Sequence, residues 1–407
     1  MKQISNLKEG CDINLFLTAS GLWFICVGIQ SVFLPWVLIS VHHVSPFEFG
    51  VAQMCLMLPV LILVIYGGYL ADLYPLRGLL TRIYLLSSLI ALLFAVWTYK
   101  NTLTYSILLA YSLLFGVLSA FCAPAREAFL NVLGQRQLQK FVTLNIGIEF
   151  GIQVIGFVIG GLVSLLGISL MFMLLSALLL SSSIAVAKIS TTTQSKQRSG
   201  LLTQTREAFS FSIHHPVILP VLLFNGLIGV FFLGSFFVAM PLHLSQLEGY
   251  DASLLAVANI IFMIGLISSV ATLVLMGGIN NKQQTLIITC VLASVFLAVM
   301  PFVFNRLWMF ILLFCWGYLG GIALSMGQTL IQENTPSGNK AQVLALLMLF
   351  FMGGNPVGSF LFGTLLEYWN ATSVGVISTV TMVVLIFVIS YKHKLWNSHY
   401  DNTNSAT

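Results

Sequence analysis

The sequence predicts an all-α integral membrane protein with twelve transmembrane helices in two pseudo-symmetric six-helix bundles and both termini cytoplasmic. Three observations carry this expectation. First, 58% of the 407 residues are hydrophobic and only 7% are charged, whereas a soluble domain carries about 25% charged residues. With a mean hydropathy of +0.99, such a chain cannot cover a water-facing globule; its solvent is mostly lipid. Second, the apolar residues gather into runs of the roughly 20 residues that a membrane crossing needs. Third, the cations are distributed on one side only: an inside placement of both termini puts fifteen of the 17 Lys and Arg in inner segments and only Lys100 and Arg306 in outer ones. That asymmetry is what the positive-inside rule predicts.

In chain order the runs fall at 15–40, 48–71, 79–98, 103–124, 141–163, 168–189, 216–242, 252–276, 284–304, 307–329, 342–366 and 372–391. Outer connections such as Lys100–Thr102 and Asn305–Arg306 are too short for an external domain. The longest polar stretch, rich in Ser, Thr and Gln, separates two sets of six runs. The expected organisation is therefore a bundle at 1–189, a cytoplasmic linker at 190–215, a second bundle at 216–391 and a cytoplasmic tail at 392–407. The first run is too long for a signal peptide and lacks its cleavage site. Six cysteines, scattered in or beside apolar runs with no metal-ligand spacing, read as buried thiols. The net charge of +5 has no basic cluster interleaved with aromatics, so nucleic acid is not an expected partner.

The halves echo each other. Gly67-Gly68 recurs as Gly277-Gly278, each between a second and a third run, and Pro124 and Pro336 each follow a fourth. The next runs both carry glycine-rich stretches, Gly156–Gly161 and Gly353–Gly363. An internal repeat of this kind fits transporters that rock around a site at the membrane midplane.

Gly67-Gly68-Tyr69-Leu70-Ala71-Asp72-Leu73-Tyr74-Pro75-Leu76-Arg77 reads as a short connection at the membrane surface, its glycines allowing close backbone approach. In Gly68, Leu70, Ala71, Asp72 and Arg77 it resembles the signature loop between helices 2 and 3 of the major facilitator superfamily. Leu73, Pro75 and Leu76 depart from that signature, which thins its cationic half. Further segments resemble the superfamily's proton-driven exporters of siderophores and macrolides: Ser20 through Gly28 to Pro35-Trp36, then Pro124-Ala125-Arg126-Glu127-Ala128, then Gln332-Glu333-Asn334-Thr335-Pro336. Gly156-Phe157-Val158-Ile159-Gly160-Gly161 is similar to the antiporter run of helix 5, with Phe157 in place of its proline. The resemblance covers roughly residues 15–390 and implies a proton-coupled secondary transporter, working as a monomer in a bacterial inner membrane. It also implies gating roles for Gly68, Asp72, Arg77 and Arg126, with Asp72 facing the start of helix 11 near Lys340–Gln342.

Glu149 is the residue expected to couple protons. It lies nine residues beyond Lys140, or ~13 Å at 1.5 Å per residue, close to the midplane of a ~30 Å core. A carboxyl at that depth is costly to insert and is by default functional; a permanently protonated group hydrogen-bonded to a neighbouring helix is the alternative reading. Asn145, Glu149 and Gln153 share one helix face, and Gly156 and Gly160 continue along nearly the same face. The remaining candidate lining residues are Gln30, Trp36, Asn225, Asn259, Trp316, Tyr318 and Asn355. Each alone also fits an interhelical hydrogen bond or plain packing. With no cation assigned to a membrane interior, the expected cavity has no fixed positive charge, which speaks against a strongly anionic substrate.

No Walker loop, H-E-x-x-H or nucleophile arrangement is present, so neither an enzyme nor direct use of ATP is expected, and no cofactor. The expected partners are protons, lipid and a small amphiphilic organic molecule, a siderophore or a drug. Uptake by the same fold is the alternative direction, and a membrane scaffold or sensor is the alternative class.

Overall fold

The structure, a computed structural model, describes residues 2–100, 103–133, 138–190, 209–277, 279, 281–336 and 339–393. The described residues hold helices and their connections, and no strand. This is the physical consequence of lipid as solvent, since each apolar segment must satisfy its backbone groups within itself. The long helices are α1 (Lys2–Trp36), α2 (Pro46–Leu73), α3 (Leu76–Lys100), α4 (Tyr105–Leu133), α5 (Leu138–Gly160) and α6 (Ile168–Ala187). They continue with α7 (Ile218–Leu244), α8 (Ala252–Leu275), α9 (Lys282–Phe302), α10 (Arg306–Asn334), α11 (Lys340–Tyr368) and α12 (Ala371–Lys392). Among the described residues, eleven helices are long and apolar enough to cross a membrane, all of these except α5, whose apolar stretch is Gly147–Gly160.

Local chemistry sets several boundaries. Ser45 and Glu48 start α2 with a reciprocal cap: Ser45 Oγ accepts the Glu48 N–H at 3.3 Å, and Glu48 Oε2 accepts the Ser45 N–H at 2.9 Å. Asn305 caps α10 by accepting the Leu307 N–H, and Asn370 caps α12 by accepting the Ser373 N–H. Two stretches lie elsewhere than expected. The segment Gly67–Leu73 is not a surface connection but the last two turns of α2, leaving only Tyr74 and Pro75 as the turn. Pro124 does not follow α4; it sits inside it, and the helix runs on for nine residues.

The chain forms two compact units. The first comprises Met1–Ser199, Phe237–Met263 and Ser359–Glu367; the second comprises Gly200–Phe236, Ile264–Gly358 and Tyr368–Thr407. Of the expected linker and tail, residues 191–208 and 394–407 lie outside the described residues, as does Gly278.

Inside each unit the same helix pairs meet through the same device. Lipid supplies no hydrophobic drive between helices, so small residues that let backbones touch carry the packing. In the first unit α1 meets α5 glycine to glycine: a Cβ on Gly28 would stand 2.9 Å from the Gly156 Cα, and one on Gly160 2.8 Å from the Ile29 carbonyl oxygen. In the second, α7 meets α11 likewise, a Cβ on Gly229 standing 3.0 Å from the Gly354 Cα and one on Gly234 2.6 Å from the Gly358 Cα. Hydroxyls repeat the pattern. Ser88 on α3 donates to the Ser176 carbonyl on α6 at 2.8 Å, and Thr379 on α12 donates to the Ser294 carbonyl on α9 at 2.7 Å. Such bonds contribute about 0.6 kcal/mol each.

The remaining parts of the first unit close on its outer-numbered ends. Gly50 of α2 lies against α11, where its Cβ would meet the Gly363 Cα at 2.7 Å, and the Glu367 carboxylate accepts the Phe47 N–H at 3.1 Å. Ser164, in the short turn after α5, donates to Asp251 before α8 at 3.2 Å.

Of the glycine pair at the end of α2, only one makes a close approach. A Cβ on Gly67 would stand 2.6 Å from the Ala120 carbonyl oxygen and 3.1 Å from Pro124 Cγ, whereas nothing lies within 4 Å of one on Gly68. The cause is in α4: Pro124 has no N–H to give the Ala120 carbonyl four residues earlier, and Gly67 packs against that released oxygen. The thiols also divide: Cys26, Cys122 and Cys290 are buried as expected, while Cys11 is exposed.

Two substitutions check these contacts. Gly156→Leu is expected to destabilise the protein by at least about 1–3 kcal/mol, read as a lower unfolding temperature in detergent, while Gly151→Leu, with nothing within 4 Å, stays near wild type. Gly67→Leu is expected to reduce the yield of monodisperse protein on size exclusion and Gly68→Leu to leave it unchanged; equal behaviour of that pair contradicts the packing described.

Candidate functional site

The charged groups of interest lie in the first unit, where α1 and α4 bring Phe24 and Arg126 together and α5 carries Glu149. Glu149 stands midway along α5, eleven residues from Leu138 and eleven from Gly160, and is half-buried. Arg126 is only 6% exposed, because α4 continues past Pro124 and carries the arginine inside. Its guanidinium carbon lies 4.3 Å from the centroid of the Phe24 ring, a cation–π contact that is worth about 2 kcal/mol or more when desolvated. Its Nε has no hydrogen-bond partner. A buried guanidinium with an open donor is equipped to hold an anion.

This corrects one expectation directly. The interior does contain a fixed positive charge, and it is Arg126. Hydropathy alone missed it, because the dip at Pro124-Ala125-Arg126 reads as the end of a run. The apolar residues resuming at Ala128-Phe129-Leu130 are the signal that the helix goes on.

Around this centre several buried polar atoms lack partners. They include Ser20 Oγ, one turn before Phe24 on α1, and Asn145 Oδ1, one turn before Glu149 on α5. Further along α1, Gln30 is 3% exposed with neither its amide nitrogen nor its oxygen bonded. Buried polar atoms are ordinarily satisfied, so three helices of one unit present unspent hydrogen-bonding capacity. Gln153 is half-buried, and its backbone carbonyl takes part in the close packing against Gly28. Trp36 is half-buried where α1 gives way to the π-helical turn Val37–Val41, a form that recurs at functional sites.

The other candidates divide between the units. Asn259, buried in the first, donates to its own helix at the Leu255 carbonyl. In the second, Asn225 donates to the Val221 carbonyl, and its amide nitrogen stands 2.7 Å from where Gly327 would carry a Cβ. The Asn225 amide thus packs against α10. Trp316 is buried against Phe232 and Phe236 at 6.1 and 6.2 Å between centroids, Tyr318 stacks on Phe314, and Asn355 is buried on α11. Among the signature residues, Arg77 donates to the Ala187 carbonyl at the end of α6, where a cation also complements the helix dipole. Asp72 is half-buried in the last turn of α2, and Gly68 contacts nothing that a side chain would displace. In the second unit Lys282 pairs with Glu333 at 2.7 Å, tying the start of α9 to the end of α10. Among the described residues no group of three or more His, Cys, Asp or Glu is placed to hold a metal ion.

With this geometry in view, the comparisons with known proteins are consistent. Solved structures share the fold. The nucleoside transporter NupG superposes with a TM-score of 0.72 at 15% identity, over 95% of this chain and 99% of that one. A bacterial homologue of the human lysosomal transporter Spinster, in an inward-facing and unoccupied conformation, gives 0.68 at 14% identity, over 95% of this chain and 96% of that one. In sequence, the chain is similar to the staphyloferrin A transporter of Staphylococcus aureus, 32% identical over 123 residues, which span 30% of each protein. The family model of the Major Facilitator Superfamily matches residues 16–359. The chain belongs to the Major Facilitator Superfamily of membrane transporters.

Proposed function

We propose that this protein exports a small amphiphilic organic molecule by alternating access, with Glu149 as its proton-linked carboxyl. Twelve helices cross a bacterial cytoplasmic membrane, both termini are cytoplasmic, and one chain suffices. The observation that supports this reading most is Glu149 itself, a carboxyl half-buried at the middle of α5. A carboxyl in lipid is functional by default. The segments resembling siderophore and macrolide exporters support the outward direction.

Between those two substrate classes, Arg126 favours the siderophore. A buried guanidinium attracts anionic oxygen ligands and repels the lipophilic cations common among drugs. The partial similarity to a staphyloferrin A transporter points the same way. Uptake is the second reading, supported by Phe157, which stands where the antiporter run has proline and is buried in α5. Asp72, at the end of α2, serves the cytoplasmic gate in either direction.

The test uses inside-out vesicles energised to an acid interior and offered a siderophore panel and a lipophilic dye panel. Wild type is expected to accumulate siderophores in an uncoupler-sensitive way, and Glu149→Gln to fall to the level seen with uncoupler. Undiminished accumulation in Glu149→Gln would remove the proton-linked role. Accumulation only in right-side-out vesicles would select uptake. Asp72→Asn is expected to reach the membrane in normal amount and to transport slowly; a wild-type rate would retire its gating role.

A further inference from the structure

We propose that the outer surface shared by the start of α3 and the end of α6 holds an anionic phospholipid, its headgroup on Arg82 and Lys188. The site is separate from Glu149 and Arg126, and it stands whatever the protein transports and in whichever direction.

Four hydrogen bonds fix how these two helices lie. Arg77 donates to the Ala187 carbonyl, Ser183 Oγ to the Thr81 carbonyl at 2.9 Å, Ser88 Oγ to the Ser176 carbonyl at 2.8 Å, and Ser169 Oγ to the Ala95 carbonyl at 2.9 Å. Positions that advance along α3 retreat along α6, so the helices run antiparallel and the start of one lies beside the end of the other. This register sets Arg82 level with Ser182 and Lys188 level with Leu76. The two cations are thus about six residues apart in depth, or ~9 Å at 1.5 Å per residue. Helical side chains tilt toward their helix N-terminus. Arg82 therefore leans toward the start of α3 and Lys188 back along α6, so the two reach toward one level of the membrane.

Arg82 stands where an apolar residue is the rule. It is exposed, and the exposed Leu85, Leu86 and Leu89 follow it on the same outer face at helical spacing. Exposed Tyr74 just before α3, and exposed Trp97 near its end, mark the two interfacial levels, and Arg82 lies between them. The second unit shows what the place ordinarily holds. There Thr379 on α12 donates to the Ser294 carbonyl on α9, as Ser176 on α6 donates to the Ser88 carbonyl on α3. Six residues before Ser88 is Arg82; six before Ser294 is Ile288, 45% exposed. A cation on such a face is costly unless its head reaches an anionic level, as snorkelling allows. Among the described residues no carboxylate pairs with Arg82 or with Lys188, which is exposed one turn beyond the exposed Ile184. Arg77 is already spent on Ala187. Two exposed cations beside leucine and isoleucine match a phosphate above acyl chains. A zwitterionic headgroup brings its own ammonium to compete for that phosphate, so the fit is to a lipid of net negative charge.

The test is native mass spectrometry of the full chain in detergent, titrated with phosphatidylglycerol or with phosphatidylcholine of the same acyl chains. Wild type is expected to bind its first phosphatidylglycerol more tightly, by about fivefold for each contributing cation. Arg82→Gln and Lys188→Gln each lose about that factor, and Arg82→Lys keeps most of the preference. Lys392→Gln, which removes an exposed cation at the end of α12, leaves it unchanged. No preference in wild type, an intact preference in Arg82→Gln, or an equal loss in Lys392→Gln would each overturn the proposal. Displacement of the lipid by millimolar glycerol 3-phosphate would also overturn it, by making the site one for a soluble phosphate. All three positions are on the surface, and unfolding temperatures equal to wild type show that lost binding is not lost fold.

Discussion

Close backbone contact between helices at paired glycines is the constraint on which this molecule depends. In lipid, apolar side chains gain nothing by leaving solvent for another apolar surface, so association must come from dispersion and from contacts that large side chains would prevent. Gly28 against Gly156, and Gly229 against Gly354, bring α1 onto α5 and α7 onto α11 at distances that no Cβ could share. These contacts fix helices at the level of their backbones, and everything the first unit presents is positioned from them. The α1–α5 contact holds Phe24 and Glu149 on helices locked to each other, and α4 brings Arg126 against the Phe24 ring.

The same economy explains how a lipid-embedded chain tolerates a buried arginine. Pro124 interrupts the hydrogen-bond ladder of α4 at Ala120, and the freed carbonyl is accommodated by the absence of a side chain on Gly67. The helix thus continues to Leu133 instead of ending near the proline, and Arg126 arrives inside, with an aromatic face on one side. A proline that reads in sequence as punctuation serves here as the means of extending a helix past a discontinuity. Arg77 has the complementary place, closing the end of α6 rather than facing a cavity.

The repeat has different content in its two copies. Both units pair helices through glycine and through buried hydroxyl-to-carbonyl bonds, yet the charged centre described belongs to the first, while the second packs Asn225 against Gly327 and buries Trp316 among phenylalanines.

The sequence by itself determined the class, the apolar runs and the internal repeat. These follow from hydropathy and from glycine spacing, which are properties of a segment and need no knowledge of its neighbours. It also marked Glu149, since a carboxyl far from any polar stretch is visible one residue at a time. Only the tertiary structure decided which glycine of Gly67-Gly68 is in contact, that Gly67–Leu73 is helical, that Asn225 lies against Gly327, and above all that Arg126 is interior. Each of those depends on what lies across a helix interface: a carbonyl released by a proline on another helix, a ring offered by α1, a missing side chain at Gly327. A residue's chemistry is written in its own side chain, but its burial and its partners are properties of pairs of helices, and the order of residues along one helix does not contain them.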